Sequence, residues 1–195
     1  MTELRNSNPP SRPASTAETW RYGRPAIALH WIVAALIVVL VGLGWYMMSV
    51  EKEPGSASLF DLHKSLGFTI FALIVVRIAW RATHRPEGLP DSVPRWQAQA
   101  STLLHWALYA GMVVMPITGY LGASHQKRGP LFFGLPTPRW ATPDHDVAEQ
   151  WFDIHSVIAW VLVVLVGLHV AAGLKHLYID RDKVFERMWP PRRAS

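Results

Sequence analysis

The chain has 195 residues, half of them apolar, and it contains no cysteine. The missing cysteine excludes disulfides, thiolate metal sites, iron–sulfur clusters and covalently attached c-type haem. The formal charge of +5 would suit a nucleic-acid partner, but none is expected, because the basic residues are distributed as a membrane topology signal.

The first 24 residues, 1–24, are rich in Pro, Ser, Asn and Arg and lack the apolar core of a signal peptide. This composition predicts a disordered tail on the cytoplasmic side of a membrane. At the other end of the chain, residues 181–195 are polar and basic, and they predict a cytoplasmic C-terminal tail.

Four apolar blocks lie between the tails, and each is long enough to cross a bilayer, which takes about 20 helical residues. They are residues 25–48, 59–80, 102–122 and 151–178. Pro116 lies inside the third block and predicts a kink, which membrane helices tolerate. The predicted fold is therefore all-α, an integral membrane four-helix bundle over residues 25–180, surrounded by the lipid bilayer.

The direction of the spans follows from the lysines and arginines, which concentrate on the cytoplasmic side of membrane proteins. Of the 19 basic residues, 14 lie in the N-terminal tail, around the link between the second and third spans, or at the C-terminal end. The other five are mixed with carboxylates near the remaining loops: Lys52, Lys64, Lys127, Arg128 and Arg139. Both termini are therefore predicted to be cytoplasmic.

Four of the nine histidines lie in or at the mouth of spans: His30, His63, His155 and His169. A single histidine in a membrane helix is as readily an interfacial or hydrogen-bonded residue as a ligand. Four together favour a functional role, because ionisable groups inside membranes are rare and usually functional.

Helix geometry sorts these histidines into two pairs. His155 and His169 are 14 residues apart, which places them on one face of the fourth helix and about 21 Å apart along its axis. With the predicted directions, His63 lies level with His155 near the outer side, and His30 lies level with His169 near the cytoplasm. Two opposed pairs at two depths are the arrangement required for two bis-histidine haems.

Two further observations bear on this prediction. The residue four positions after each paired histidine, on the same helix face, is small and leaves room for a flat macrocycle: Ala34, Gly67, Ala159 and Gly173. A bare zinc or iron site would need three or four ligands at one level, which two pairs at two depths do not supply.

These residues sit in short stretches that are similar to those of bacterial cytochrome b561. The stretches are residues 27–31, Leu62-His63 with Gly67, residues 75–77, His105 with Tyr109 and Pro116, residues 131–135, and residues 167–169 with His176. The chain thus resembles this family of small dihaem membrane cytochromes, which itself resembles the membrane cytochrome b subunits of nickel–iron hydrogenases.

The resemblance implies two haem b groups, with His30, His63, His155 and His169 as axial ligands to the haem iron. It also implies an oxidoreductase of the superoxide oxidase type. Such a protein takes an electron from superoxide at the outer face and passes it to ubiquinone. The implied location is the bacterial cell inner membrane, as a multi-pass protein in contact with the quinone pool.

Several charged residues are candidates for supporting roles. Arg77 is a candidate partner for a haem propionate, or else a snorkelling residue that marks topology. The five outer basic residues would concentrate superoxide, which is an anion, unless they are simply solvated. His176, with Lys175 and Arg81 at a similar depth, is a candidate quinone site, or else His176 and Lys175 only cap the last span.

Two other functions remain open on the sequence. The chain could be a haem-bearing electron-transfer subunit that links a separate dehydrogenase or hydrogenase, as a protein partner, to the quinone pool. It could also be a histidine-rich proton or metal transporter, which predicts no haem absorbance. The extramembrane segments are short and offer little docking surface, which favours a small electron donor such as superoxide.

Overall fold

A computed structural model describes residues 21–84, 88–89 and 93–189. The predicted N-terminal tail up to residue 20 and the last six residues of the predicted C-terminal tail lie outside these ranges.

The described chain is dominated by four helices, each long and apolar enough to cross a membrane. They are α1 (Arg24–Ser49), α2 (Ala57–Thr83), α3 (Arg95–His125) and α4 (His145–Lys175). A π-helical turn, His176–Asp180, continues α4, and a short 3-10 helix follows at Phe185–Met188. The prediction of an all-α fold with four spans is confirmed.

Two helices begin well before the apolar blocks that predicted them. Asp144 caps α4, and its carboxylate accepts a hydrogen bond from the Val147 N–H at 3.1 Å. Pro94 immediately precedes α3 and has no N–H of its own to satisfy. Hydropathy locates the part of a helix that suits lipid, whereas capping and backbone hydrogen bonds decide where the helix starts.

The helices do not share one continuous packed core. Val33 of α1 and Ile70 and Ile74 of α2 form a buried cluster, joined by α3 through Met112 and Val113. The helix α4 packs closely against α3 but not against α1 or α2. The most apolar stretch of α4 has none of its residues buried inside the protein. The backbones of α1 and α2 therefore stand off from α4, and long side chains such as Trp45 and Trp160, with ring centres 5.5 Å apart, reach across.

A small β-hairpin lies beside the end of the bundle where α2 begins. Its strands β1 (Leu131–Phe132) and β2 (Leu135–Pro136) pair antiparallel. The two turn residues, Phe133 and Gly134, have φ angles of 47° and 84°, as a type I′ turn requires. This end of the bundle is called the hairpin end below, and the opposite end, where α1 begins and α4 finishes, is called the terminal end.

Candidate functional site

The first histidine pair lies towards the hairpin end, between α2 and α4. The ring centres of His63 and His155 are 6.2 Å apart, and the rings are inclined at 76°. His155 Nδ1 lies 3.0 Å from the Met115 carbonyl oxygen, which can only accept a hydrogen bond. Nδ1 therefore carries the hydrogen, and Nε2 of His155 is left with a lone pair for a metal ion.

The second pair lies towards the terminal end, between α1 and α4. The ring centres of His30 and His169 are 6.1 Å apart at 72°. Arg77 of α2 reaches this pair: its Nη1 donates to the Ala26 carbonyl at 3.1 Å, and its Nη2 lies 3.2 Å from His30 Nδ1. The structure thus brings together both pairs that the sequence predicted.

The spacing within each pair suits a shared metal ion. Two imidazoles bound to one metal through nitrogens about 2 Å away hold their ring centres roughly 6 Å apart. Neither pair forms a hydrogen bond between its own two rings in the part of the chain that the structure describes. His63 Nδ1 is buried without a hydrogen-bond partner among the described residues, although buried polar atoms are almost always bonded. These residues fit a bis-histidine haem.

Glycines shape the space around the hairpin-end pair. A Cβ atom on Gly67, one turn after His63, would meet no atom within 4 Å, so a planar group has room there. A Cβ on Gly119 would lie 3.0 Å from His155 Cε1, and one on Gly44 would lie 3.5 Å from His63 Cε1. The missing side chain at Gly119 thus lets α3 come closer to the His155 ring than a Cβ would readily allow, whereas a Cβ at Gly44 would make an ordinary contact with the His63 ring.

Of the four small residues predicted to give room, Gly173 sits differently. A Cβ there would meet the Phe185 ring at 3.6 Å, because the chain turns back after α4 and lays the 3-10 helix against it. Gly44 and Gly119 were missed by sequence reasoning. Both lie on helices other than those carrying the rings they approach, so no spacing within one helix points to them.

A third histidine, His105 of α3, stands beside the terminal-end pair. Its ring centre lies 5.2 Å from that of His169, and its Nδ1 donates to the Ser101 carbonyl at 2.6 Å. Within the described ranges, three metal-capable ligand atoms converge only at His176, Asp180 and Asp182. His105 therefore lies beside His169, but the ligand atoms of His30, His105 and His169 do not converge as the three ligands of a bare metal site would.

The three candidate quinone residues fall into two groups. His176 Nδ1 lies 2.6 Å from a carboxylate oxygen of Asp182, and Lys175 forms an ion pair with Asp180. Arg81 instead donates to the Tyr22 hydroxyl at 3.1 Å. Among the described residues it forms no hydrogen bond or ion pair with the other two candidates.

The basic residues at the hairpin end are mostly engaged. Lys64 and Arg128 both pair with Asp61, at 3.2 and 2.9 Å. Arg139 donates to the carbonyl oxygens of Gln126 and Lys127. The Asp61 carboxylate offsets part of the positive charge of Lys64 and Arg128, whereas Arg139 is held in place and keeps its charge.

The chain is similar to known proteins over nearly its whole length. A family model described as prokaryotic cytochrome b561 matches residues 21–191. Cytochrome b561 homolog 2 of Escherichia coli (strain K12) is 30% identical over 170 residues, covering 86% of this chain and 90% of that protein. A Yersinia pestis protein named "Probable superoxide oxidase CybB" is 26% identical over 180 residues, covering 89% of this chain and 98% of that protein. The matched region contains all four helices and both histidine pairs.

Proposed function

Because this chain belongs to the prokaryotic cytochrome b561 family of electron-transferring membrane haem proteins, we propose that it is a dihaem superoxide:ubiquinone oxidoreductase of the bacterial inner membrane. Two superoxide anions each give up one electron at the outer face and leave as oxygen. One ubiquinone takes up those two electrons and two protons at the cytoplasmic face and becomes ubiquinol. The hairpin end is the outer end in this proposal, and the terminal end is cytoplasmic.

The observation that carries the proposal is the presence of two facing histidine pairs at two depths of one bundle. Haem b, when bound, would supply a one-electron redox centre at each level, held by His63 and His155 at one and by His30 and His169 at the other. The name of the Yersinia pestis relative supports superoxide as the donor.

The chain's own residues would hold haem at each level. At the hairpin-end level, the Met115 carbonyl accepts from Nδ1 of His155, which would leave the lone pair of Nε2 free to hold a metal. At the terminal-end level, Arg77 and a metal would place opposite demands on which ring nitrogen of His30 carries the hydrogen. A guanidinium only donates, so its contact with Nδ1 requires the ring hydrogen on Nε2. A propionate that draws Arg77 away would let the hydrogen return to Nδ1 and free Nε2.

The proposed exit for electrons is the terminal end, where His176 would bind ubiquinone. Asp182 accepts from Nδ1 of His176, so Nε2 is the nitrogen that faces the quinone, and it would donate to a quinone carbonyl and deliver a proton when the ring carries hydrogens on both nitrogens. Lys175, the neighbouring cation, would stabilise negative charge on the quinone as it is reduced.

Rapid mixing of the purified, haem-loaded chain tests the proposal. Superoxide should reduce the haems, and added ubiquinone should reoxidise them. His176→Ala should keep both haems and their reduction by superoxide, but slow reoxidation by about tenfold or more, as loss of a general acid does.

His84→Ala is the matched control, because His84 also lies near the terminal end but stacks on Trp80 with ring centres 4.0 Å apart. Reoxidation should be normal in that variant. Failure of superoxide to reduce the wild-type haems would overturn the proposed donor. Unchanged reoxidation in His176→Ala would move the quinone site elsewhere, for example beside His105.

A further inference from the structure

A cleft of about 630 Å³ opens at the hairpin end, a volume typical of sites for small molecules. It is lined by the first turns of α2 and α4, the end of α3 and the loop after α1. Two of its lining residues, Phe60 and Lys64, flank the paired histidine His63 on α2. The cleft therefore borders the turn of α2 that carries His63, at the end of the bundle where the proposed donor arrives, although neither His63 nor His155 is among its lining residues.

The charges that line this cleft are nearly balanced. Its acidic residues are Glu51, Asp61, Asp144 and Glu149, and its lysines and arginines are Lys64, Lys127 and Arg128. A surface that only gathers anions would have a clear positive excess. The lining has four carboxylates against three lysines and arginines. The ion pairs of a single carboxylate can therefore decide whether positive or negative charge dominates in one part of the cleft.

Asp61 is that residue. Its two carboxylate oxygens each bind a different cation, Lys64 at 3.2 Å and Arg128 at 2.9 Å. The Asp61 side chain is 18% exposed, so it is partly shielded from water and its ion pairs are screened less than fully exposed ones. Asp61 lies two residues before His63 on α2, on a different face of the helix, so its charge borders the cleft beside the turn that carries this histidine.

We propose that this cleft is the site where electron donors reach the hairpin-end haem, and that Asp61 determines which donor charge it admits. Asp61 offsets one of the two positive charges on Lys64 and Arg128 and thereby limits the attraction of anions. This inference rests on the proposed function only in taking superoxide as one of the donors. The charge preference itself holds for any small reductant.

Donors of opposite charge test the inference with the haem-loaded full chain. The probes are superoxide and ascorbate, which are anions, and hexaammineruthenium(II), which is a cation. Each is mixed with oxidised protein, and the second-order rate of haem reduction is measured between about 10 and 300 mM salt, over which the Debye length falls from about 30 to below 8 Å.

Asp61→Asn should raise the rates with both anions by about threefold to tenfold at low salt and lower the rate with the cation. The salt dependence with anions should become steeper, which a purely structural role of Asp61 would not produce. Glu149→Gln is the matched control: it removes one exposed carboxylate from the same cleft but breaks no ion pair among the described residues. Its rates should change by less than about twofold.

Arg128→Gln provides an independent arm, because its side chain is 61% exposed and its loss should not disturb folding. That variant should lower the rates with anions, and the double variant Asp61→Asn/Arg128→Gln should return them towards the wild-type values. Equal effects of Asp61→Asn and Glu149→Gln, or unchanged anion-to-cation ratios in all variants, would overturn the inference. If the variants change the rates with ascorbate and hexaammineruthenium(II) as predicted but superoxide does not react, the inference is upheld and only the proposed donor is rejected.

Discussion

At the scale of single residues, each paired histidine has one partner across the bundle, so loss of either should release the haem at that level. We expect His63→Ala and His155→Ala to lose the hairpin-end haem, and His30→Ala and His169→Ala to lose the other. Redox titration followed by absorbance should find one haem transition remaining in each variant. The two variants of one pair should retain the same transition.

His105→Ala is the control for these variants, because His105 is close to His169 but its Nδ1 is bound to the Ser101 carbonyl. Both haems should stay. If His30→Ala and His155→Ala removed the same transition, the assignment of the pairs to two levels would be wrong.

Gly67 supplies a test of the space beside His63. Gly67→Leu should exclude the hairpin-end haem, because the space that its side chain would enter is where a macrocycle bound by His63 must lie. Gly42→Leu is matched to it, since a Cβ on Gly42 also meets no atom within 4 Å but Gly42 is exposed on α1. Haem content of the two purified variants is the measurement. Equal haem content in both variants would show that haem does not occupy the space beside Gly67.

The residues that could be predicted are those whose neighbours follow from helix periodicity and direction. His155 and His169 share a face because of their spacing, and the direction of each helix then selects their partners. The Met115 carbonyl that orients His155 could not be predicted. The contact depends on how closely α3 approaches α4, which in turn depends on Gly119 having no side chain.

At the scale of elements, the apolar blocks predicted the number and type of the helices but not their full length. The hairpin also escaped prediction as an element, although its residues were part of the family resemblance. Two-residue strands carry no readable alternation. The hairpin is held instead by long-range contacts with α2: Ser65 Oγ accepts from the Phe133 N–H at 2.8 Å, and the Phe132 ring lies 6.0 Å from that of Phe68.

The hydrogen bond from Phe133 to Ser65 predicts how the hairpin is fastened to α2. Ser65 is 1% exposed, so Ser65→Ala leaves the Phe133 N–H without its partner and costs about 1–3 kcal/mol locally. Amide hydrogen exchange at residues 131–135 should accelerate about tenfold or more. Thr69→Val, which loses only a bond to the Ser65 carbonyl within α2, should leave hairpin exchange unchanged. If exchange accelerated similarly in both variants, the hairpin would be sensitive to any change in α2 and not specifically to the hydrogen bond from Phe133 to Ser65.

At the scale of the whole molecule, the direction of the bundle decides which pair meets the donor. The distribution of basic residues predicts both termini in the cytoplasm. A reporter that works only in the cytoplasm should be active when it is fused after residue 195. A reporter that works only on the outer side should be inactive at the same position. The opposite result would exchange the roles of the two ends, and the cleft would then face the cytoplasm.

A second property of the whole molecule is that α4 is only loosely packed against α1 and α2. Its apolar stretch buries none of its residues inside the protein, while its two histidines face partners on those two helices. Haem between these helices would supply the contacts that side chains do not. We therefore expect that haem-depleted protein loses thermal stability and that α4 becomes more accessible to protease, with restoration on adding haem back.

The central claim is that one chain holds two haems, one at each histidine pair. The most direct measurement is the haem content of the purified full chain by the pyridine haemochrome assay, set against protein determined by amino-acid analysis. The account predicts two non-covalent b haems per chain, both low-spin and six-coordinate. One haem per chain, or none, would contradict it.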